Sequence, residues 1–166
     1  NTDPYQPIER DYRVTRSIME VLARCRHPFS LITKSAMVER DVDLLADMAR
    51  DNLVHVFISV TTLSDELKRT LEPRTASPRA RLRAIRTLSE AGVPVGAMVA
   101  PVIPVLTDSE VELILQAVAE AGAKSAGYVL LRLPFEIKDL FREWLEQNEP
   151  LKTKHVMSRV HAMRNG

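Results

Sequence analysis

The sequence predicts an α/β protein organised around a parallel sheet of four strands. Segments with apolar residues at helical spacing alternate with short runs rich in Val, Ile and Thr, each helix preceding its strand. The strand-like runs are apolar on both faces, which suits a sheet covered by helices rather than one with a wet side. Strand starts lie about one helix-plus-strand unit apart with no low-complexity segment between them, so 1–166 reads as a single domain.

Ile8, Tyr12, Thr15, Ile18, Met19, Leu22 and Cys25 recur at helical spacing, with Pro7 where a first turn tolerates it. Cys25 shares the face of Ile18 and Leu22 and is expected in the core. PFSLITKS (28–35) follows as the first strand, ERDVDLLADMARDN (39–52) as an amphipathic helix, and LVHVFISVTT (53–62) as the second strand. SDELKRTL (64–71) is a short helix capped by Ser64, and PRTASP (73–78) is a connector. A longer helix then has Ser77 as cap, Pro78 at its first position and Gly92 as its stop. PVGAMVAPVI (94–103) is the third strand. TDSEVELILQAVAEAG (107–122) is a helix with a Thr107 or Asp108 cap and Gly122 at its end, and SAGYVLLRLP (125–134) is the fourth strand. Two further helices, 135–148 and 151–166, flank Pro150, with Phe141, Trp144 and Leu145 as a docking face. A doubly wound sheet and a section of a (β/α) barrel fit this order equally well.

The charge balance excludes several classes. Lys and Arg number 23 against 22 Asp and Glu, a net charge of +1, so no global field favours nucleic acid or an anionic membrane. Arg74, Arg79, Arg81, Arg83 and Arg86 look like a local basic patch. Arg79, Arg83 and Arg86 share one helical face, however, and without interleaved aromatics they suit a solvated surface; nucleic-acid binding is unsupported. No apolar run approaches the roughly 18 residues of a membrane span, and the first residues resemble no signal peptide, so a cytoplasmic protein without a membrane partner is expected. The single cysteine, Cys25, rules out an internal disulfide and a cysteine-only metal site within this chain. The four histidines lack ligand spacing.

In parallel α/β architectures ligands sit beyond the carboxyl ends of the strands. These ends carry Thr33, Lys34 and Ser35; Ser59, Thr61 and Thr62; Ala100 and Pro101; and Arg132 and Pro134. Strand alternation puts His55, Phe57, Ser59 and Thr61 on one face and Val56, Ile58 and Val60 on the other. The aliphatic set matches a helix layer, which turns Ser59 and Thr61 to the ligand side. Lys34 falls with Ser30 and Ile32, where its charge needs an anion or water. Thr62 and Ser64 read as a strand exit and a helix cap.

NTDPYQPIE (1–9), LITKS (31–35), VFISVTTLSDELKRTLEPRTASPRARL (56–82) and GVPVGAMVAPVIPVLTD (92–108) together resemble a bacterial radical S-adenosylmethionine family related to spore photoproduct lyase. The resemblance implies a partial (β/α) barrel, TIM-like and of the radical S-adenosylmethionine type, of which this chain supplies the second helix through the sixth unit. It also implies a [4Fe-4S] cluster on a CxxxCxxC loop, at which S-adenosylmethionine is reductively cleaved to a 5′-deoxyadenosyl radical. That motif is not in this chain, so the resemblance implies a fragment without the cluster-binding part, inactive alone and prone to self-association at its uncovered strand edge. The alternative is a cluster-free binding or scaffold domain. By matching positions, the resemblance assigns Lys34 to the methionyl carboxylate, Ser59 and its neighbour Thr61 to the amino-acid moiety or ribose, and Asn1, Thr2 and Asp3 to the methionyl amine. Val99, Ala100 and Pro101 match the segment beside adenine, with Leu131 to Leu133 as counterpart, and Arg74 reaches in from its connector. The substrate of such an intact, lyase-like enzyme is not identified by these residues.

Overall fold

The computed structural model describes Thr2–Met163. Strands β1 (Phe29–Thr33), β2 (Val54–Ser59), β3 (Val95–Val102) and β4 (Ser125–Leu130) form one sheet in the order β1-β2-β3-β4. Every neighbouring pair is parallel. Each strand pairs with the next in the chain and the progression never reverses, whereas a doubly wound sheet reverses at its switch point. The arrangement is therefore that of a section of a (β/α) barrel, with β1 and β4 as its two edges.

The helices are α1 (Glu9–Tyr12), α2 (Val14–Arg24), α3 (Val42–Ala49), α4 (Asp65–Leu71), α5 (Pro78–Glu90), α6 (Val111–Glu120), α7 (Ile137–Asn148) and α8 (Thr153–Ala162). Ser64 Oγ accepts from Leu67 N at the start of α4, and Ser77 Oγ from Ala80 N at the start of α5, so both caps act as the sequence predicts. Gly92 ends α5 with φ of +80°, a conformation costly for any residue with a Cβ. Among the described residues, no helix is long and apolar enough to cross a membrane.

Val56, Ile58 and Val60 of the β2 run, with Val95, Ala97 and Val99 of β3, are fully or almost fully buried against Leu45, Ile85, Leu88, Ile114 and Val118 of the helices. The other face of the sheet is open. His55 stacks on Phe57 there with ring centroids 4.3 Å apart. Phe57 lies over Gly96, where an added Cβ would fall 2.5 Å from the ring. A second, smaller core of Ile103, Leu106, Leu133, Leu145, Val156 and Val160 fastens α7 and α8 over the loops that leave β3 and β4. Trp144 Nε1 donates to Thr70 O at 3.1 Å, tying α7 to the end of α4.

Several sequence expectations need correction. The first helix is two, broken at Arg13, whose φ of 50° is left-handed. The buried Glu9 carboxylate accepts from Thr15 N at 3.1 Å, capping α2 from outside it. Cys25 is exposed rather than core, because α2 turns Met19 inward and leaves Ile18 and Val21 toward solvent. Neither Thr107 nor Asp108 caps α6: Thr107 Oγ1 accepts instead from Ile103 N, and a short 3₁₀ turn, Asp108–Glu110, precedes the helix. The fourth strand is not covered on both faces; Tyr128, Val129 and Leu130 of β4 are all exposed. Arg81 belongs to no surface patch, being 2% exposed.

Candidate functional site

The C-terminal ends of β1 and β2 converge on one carboxylate, Glu72, which stands just beyond α4. Lys34, one residue past β1, reaches it with Nζ 2.7 Å from Oε1. Thr61, fully buried beyond β2, donates its hydroxyl toward the same oxygen at 3.1 Å and toward Ala100 O at 3.1 Å. Arg81 Nη2 contacts Glu72 Oε2 at 2.6 Å. The same nitrogen donates to Thr75 Oγ1 at 2.6 Å, while Nε donates to Ala76 O and Nη1 to Ser59 O, each at 3.0 Å. One buried arginine thus clamps the 72–77 connector onto the end of β2. Burial alone would raise the Glu72 carboxyl, but Arg81 and then Lys34 outweigh it and hold the group below its ordinary range.

A second polar cluster fixes the residues before α1. Asp3 accepts from Tyr5 N at 2.9 Å, from Thr33 Oγ1 at 2.6 Å and from Lys34 N at 2.7 Å, so it seals the tip of β1. Tyr5 donates its hydroxyl to the fully buried Asp41, which Arg16 and Arg40 also bind. Burial would raise the Asp41 carboxyl, and the two arginines with the Tyr5 hydroxyl overcome it and lower it.

Two clefts open beside Lys34. One, of about 480 Å³, is walled by Pro101, Ile103, Leu131, Leu133, Ile137 and Phe141, with Lys34, Glu72 and Arg74 at its polar end. The other, of about 830 Å³, lies between the Asp3–Arg10 segment, the turn after β1 and the connector. Lys34, Arg74 and Thr75 line both. A third, of about 620 Å³, lies at the opposite end of the sheet, lined by Pro28, Asn52, His55 and Pro94, away from these groups.

The structure thus brings Lys34, Thr61, Arg74, Ala100, Pro101 and Asp3 to one end of the sheet. Ser59 is buried beside them and gives its carbonyl to Arg81. Thr2 is exposed, and Asn1 lies outside the described residues. Val99 is not at the site: it is 2% exposed within the main core, on the helix side of β3. A register shift between Val99 and Val102 then re-aims the strand, with a cis Ala100-Pro101 bond, so that Ala100 O meets Thr61 and Pro101 enters the cleft wall. Sequence reasoning missed Glu72, Arg81 and Thr75. The one signal in the sequence was Lys34 itself, whose charge needs an anion, and it does not single out Glu72 among the acidic residues.

Among the described residues, no group of three or more His, Cys, Asp or Glu side chains could hold a metal ion. Cys25, the only cysteine of the chain, sits before β1 at the far end of the sheet, so these residues do not fit a [4Fe-4S] cluster.

The chain is 37% identical over 152 residues to an uncharacterized protein of Mycobacterium tuberculosis strain H37Rv, covering 90% of this chain and 45% of that protein. An uncharacterized protein of Methanocaldococcus jannaschii is 33% identical over 149 residues, 90% of this chain and 54% of the relative. One from Acidianus two-tailed virus is 34% identical over 125 residues, 72% of this chain and 40% of the relative. The chain spans about half the length of the curated relatives it matches. The sequence model of the Radical SAM superfamily, whose members generally use S-adenosylmethionine and a [4Fe-4S] cluster, matches residues 4–118. That span takes in Asp3's neighbour Pro4, Lys34, Glu72, Arg81 and Pro101, most of the strand-end site, and the chain belongs to the Radical SAM superfamily.

Proposed function

We propose that this chain is the cosubstrate platform of a radical enzyme, and that S-adenosylmethionine occupies the cleft between Lys34 and the apolar wall. The carrying observation is the setting of Lys34. Its ammonium has three N–H donors and spends one on Glu72, leaving donors for a carboxylate. Glu72 keeps the side chain at the strand tip while Arg81 holds Glu72, so the cation is positioned before any ligand arrives. Thr61 and Ser59 are buried beneath the cleft and serve the amino-acid or ribose portion indirectly, Thr61 by steadying Glu72 and Ser59 by holding Arg81 through its carbonyl. Asp3 lines the other cleft and is spent on Tyr5 N, Thr33 Oγ1 and Lys34 N, so it fixes the strand tip that carries Lys34 rather than meeting the methionyl amine. Ala100 and Pro101 with Leu131 to Leu133 flank adenine, and Arg74 borders the polar end. In the superfamily, reductive cleavage of S-adenosylmethionine at the cluster supplies the radical. Cluster ligands would come from outside this chain. The LITKS and LEPRTASP blocks support kinship with the spore photoproduct lyase branch, and the substrate is a separate molecule.

Without cluster iron to chelate its amino-acid end, S-adenosylmethionine should bind this chain weakly, with Kd above about 10 μM by calorimetry. Lys34→Met should weaken binding about tenfold further. Sub-micromolar affinity, or equal affinity in the variant, would contradict the reading. A longer form carrying the cluster-binding segment, reduced anaerobically, should release 5′-deoxyadenosine.

A further inference from the structure

We propose that the larger cleft, on the outer side of Lys34, is an anion subsite that receives the phosphoryl group of a small-molecule substrate. This rests on the reading that the neighbouring apolar cleft takes S-adenosylmethionine. The outer cleft, of about 830 Å³, is lined by five cationic side chains, Arg10, Lys34, Arg40, Arg74 and Arg83. Its one lining carboxylate, Asp3, is already committed to Tyr5 N, Thr33 Oγ1 and Lys34 N.

Two of the arginines are matched from behind. Arg40 is held by Asp41 at 2.9 Å, and Arg83 by Glu39 at 2.9 Å. Arg10 and Arg74 have no carboxylate partner among the described residues. They come from separate elements, α1 and the connector after α4, and line the same concave space. Two unmatched guanidinium forks facing one cavity suit the tetrahedral, multiply charged oxygens of a phosphoryl group better than a lone carboxylate, which a single fork satisfies. Tyr5, Pro7 and Met37 also line the cleft and offer apolar contact to an organic portion. Since Lys34, Arg74 and Thr75 border both clefts, a molecule anchored there by its phosphoryl group lies directly beside the cosubstrate position.

The probe is inorganic pyrophosphate, titrated calorimetrically into the 166-residue chain at low ionic strength, with and without S-adenosylmethionine. Pyrophosphate should bind, and the double variant Arg10→Gln with Arg74→Gln should lose at least about tenfold in affinity. Arg86→Gln, an exposed arginine of α5 that does not line the cleft, should bind as wild type. Both replaced side chains are exposed, so circular dichroism and thermal melting should match wild type. Equal affinity in the double variant, no binding by wild type, or a loss in Arg86→Gln as large as in the double variant would overturn the subsite. Competition between pyrophosphate and S-adenosylmethionine would also overturn it, by placing both at Lys34. Binding of pyrophosphate with none of S-adenosylmethionine even at millimolar concentration would leave the anion subsite standing and sink the cosubstrate reading alone.

Discussion

Replacing Glu72 with Gln removes one charge from a site where two cations share it. Oε1 serves Lys34 and Thr61, whereas Oε2 serves Arg81 alone at 2.6 Å. An amide presents oxygen on one side only, so one cation must face an N–H₂ group. Arg81 is 2% exposed and cannot find water, while the Lys34 side chain is 32% exposed and can swing out. The amide oxygen should therefore turn to Arg81. What is lost is the negative charge opposite a buried guanidinium, and breaking such a pair from one side costs about 3–5 kcal/mol. The three other oxygens that Arg81 contacts place the cost near the lower end, at about 3 kcal/mol. For a chain of this size that lowers Tm by roughly 6–12 °C. Urea denaturation should show a lower midpoint at unchanged slope. Lys34→Met is the control: Glu72 keeps Arg81, the lost pair is partly solvated, and the cost should stay below about 1 kcal/mol. A loss under about 0.5 kcal/mol in Glu72→Gln, or a larger one in Lys34→Met, would refute this account of the clamp.

Two further outcomes follow from the same geometry. Glu72 and Asp41 both have folded-state carboxyls held below their ordinary values of 4.5 and 3.8, so their stabilisation is present above those values and lost as pH falls through the lower folded ones. Stability should drop on acidification from about pH 5 toward pH 3, and Asp41→Asn, already weaker at pH 7, should drop less steeply; a slope identical to wild type would rule out Asp41 as a contributor. Gly96→Ala should cost about 1–3 kcal/mol, because its methyl meets the Phe57 ring and Ser125 Oγ at 2.5 to 2.7 Å. A neutral result in chemical denaturation would show that the His55 and Phe57 stack moves freely.

The sheet was legible because its signals are local. Period-2 alternation in VHVFIS separates Val56 and Ile58 from His55 and Phe57, and Ser64 and Ser77 announce helices through hydroxyls that cap within three residues. Periodicity alone did not give strand order, since the same alternating units suit a barrel or a doubly wound sheet; the family resemblance implied the partial barrel that the sheet shows. The Arg13 break was hidden because it depends on Glu9 reaching across to Thr15 N. Cys25 was misplaced because α2 carries overlapping apolar stripes, and only packing decides that Met19 rather than Ile18 turns inward. At the site, the face of Lys34 could be read but not its partner. Glu72 lies 38 positions away, and nothing local marks a carboxylate that three elements will share. Val99 failed for another reason: the register shift after it puts Pro101, not Val99, toward the cleft.

The 72–77 connector is a loop by shape, yet Arg81 ties its residues to β2 through oxygens from Glu72, Thr75 and Ala76, together with Ser59. Surface loops ordinarily tolerate changes of length, and the turn at Leu151, which is 99% exposed, fits that rule. The connector does not: one inserted residue would detach an acceptor from Arg81 and shift Arg74 at the mouth of both clefts. Divergence among relatives should therefore leave this stretch constant in length while its exposed side chains vary, the reverse of what its irregular backbone would suggest.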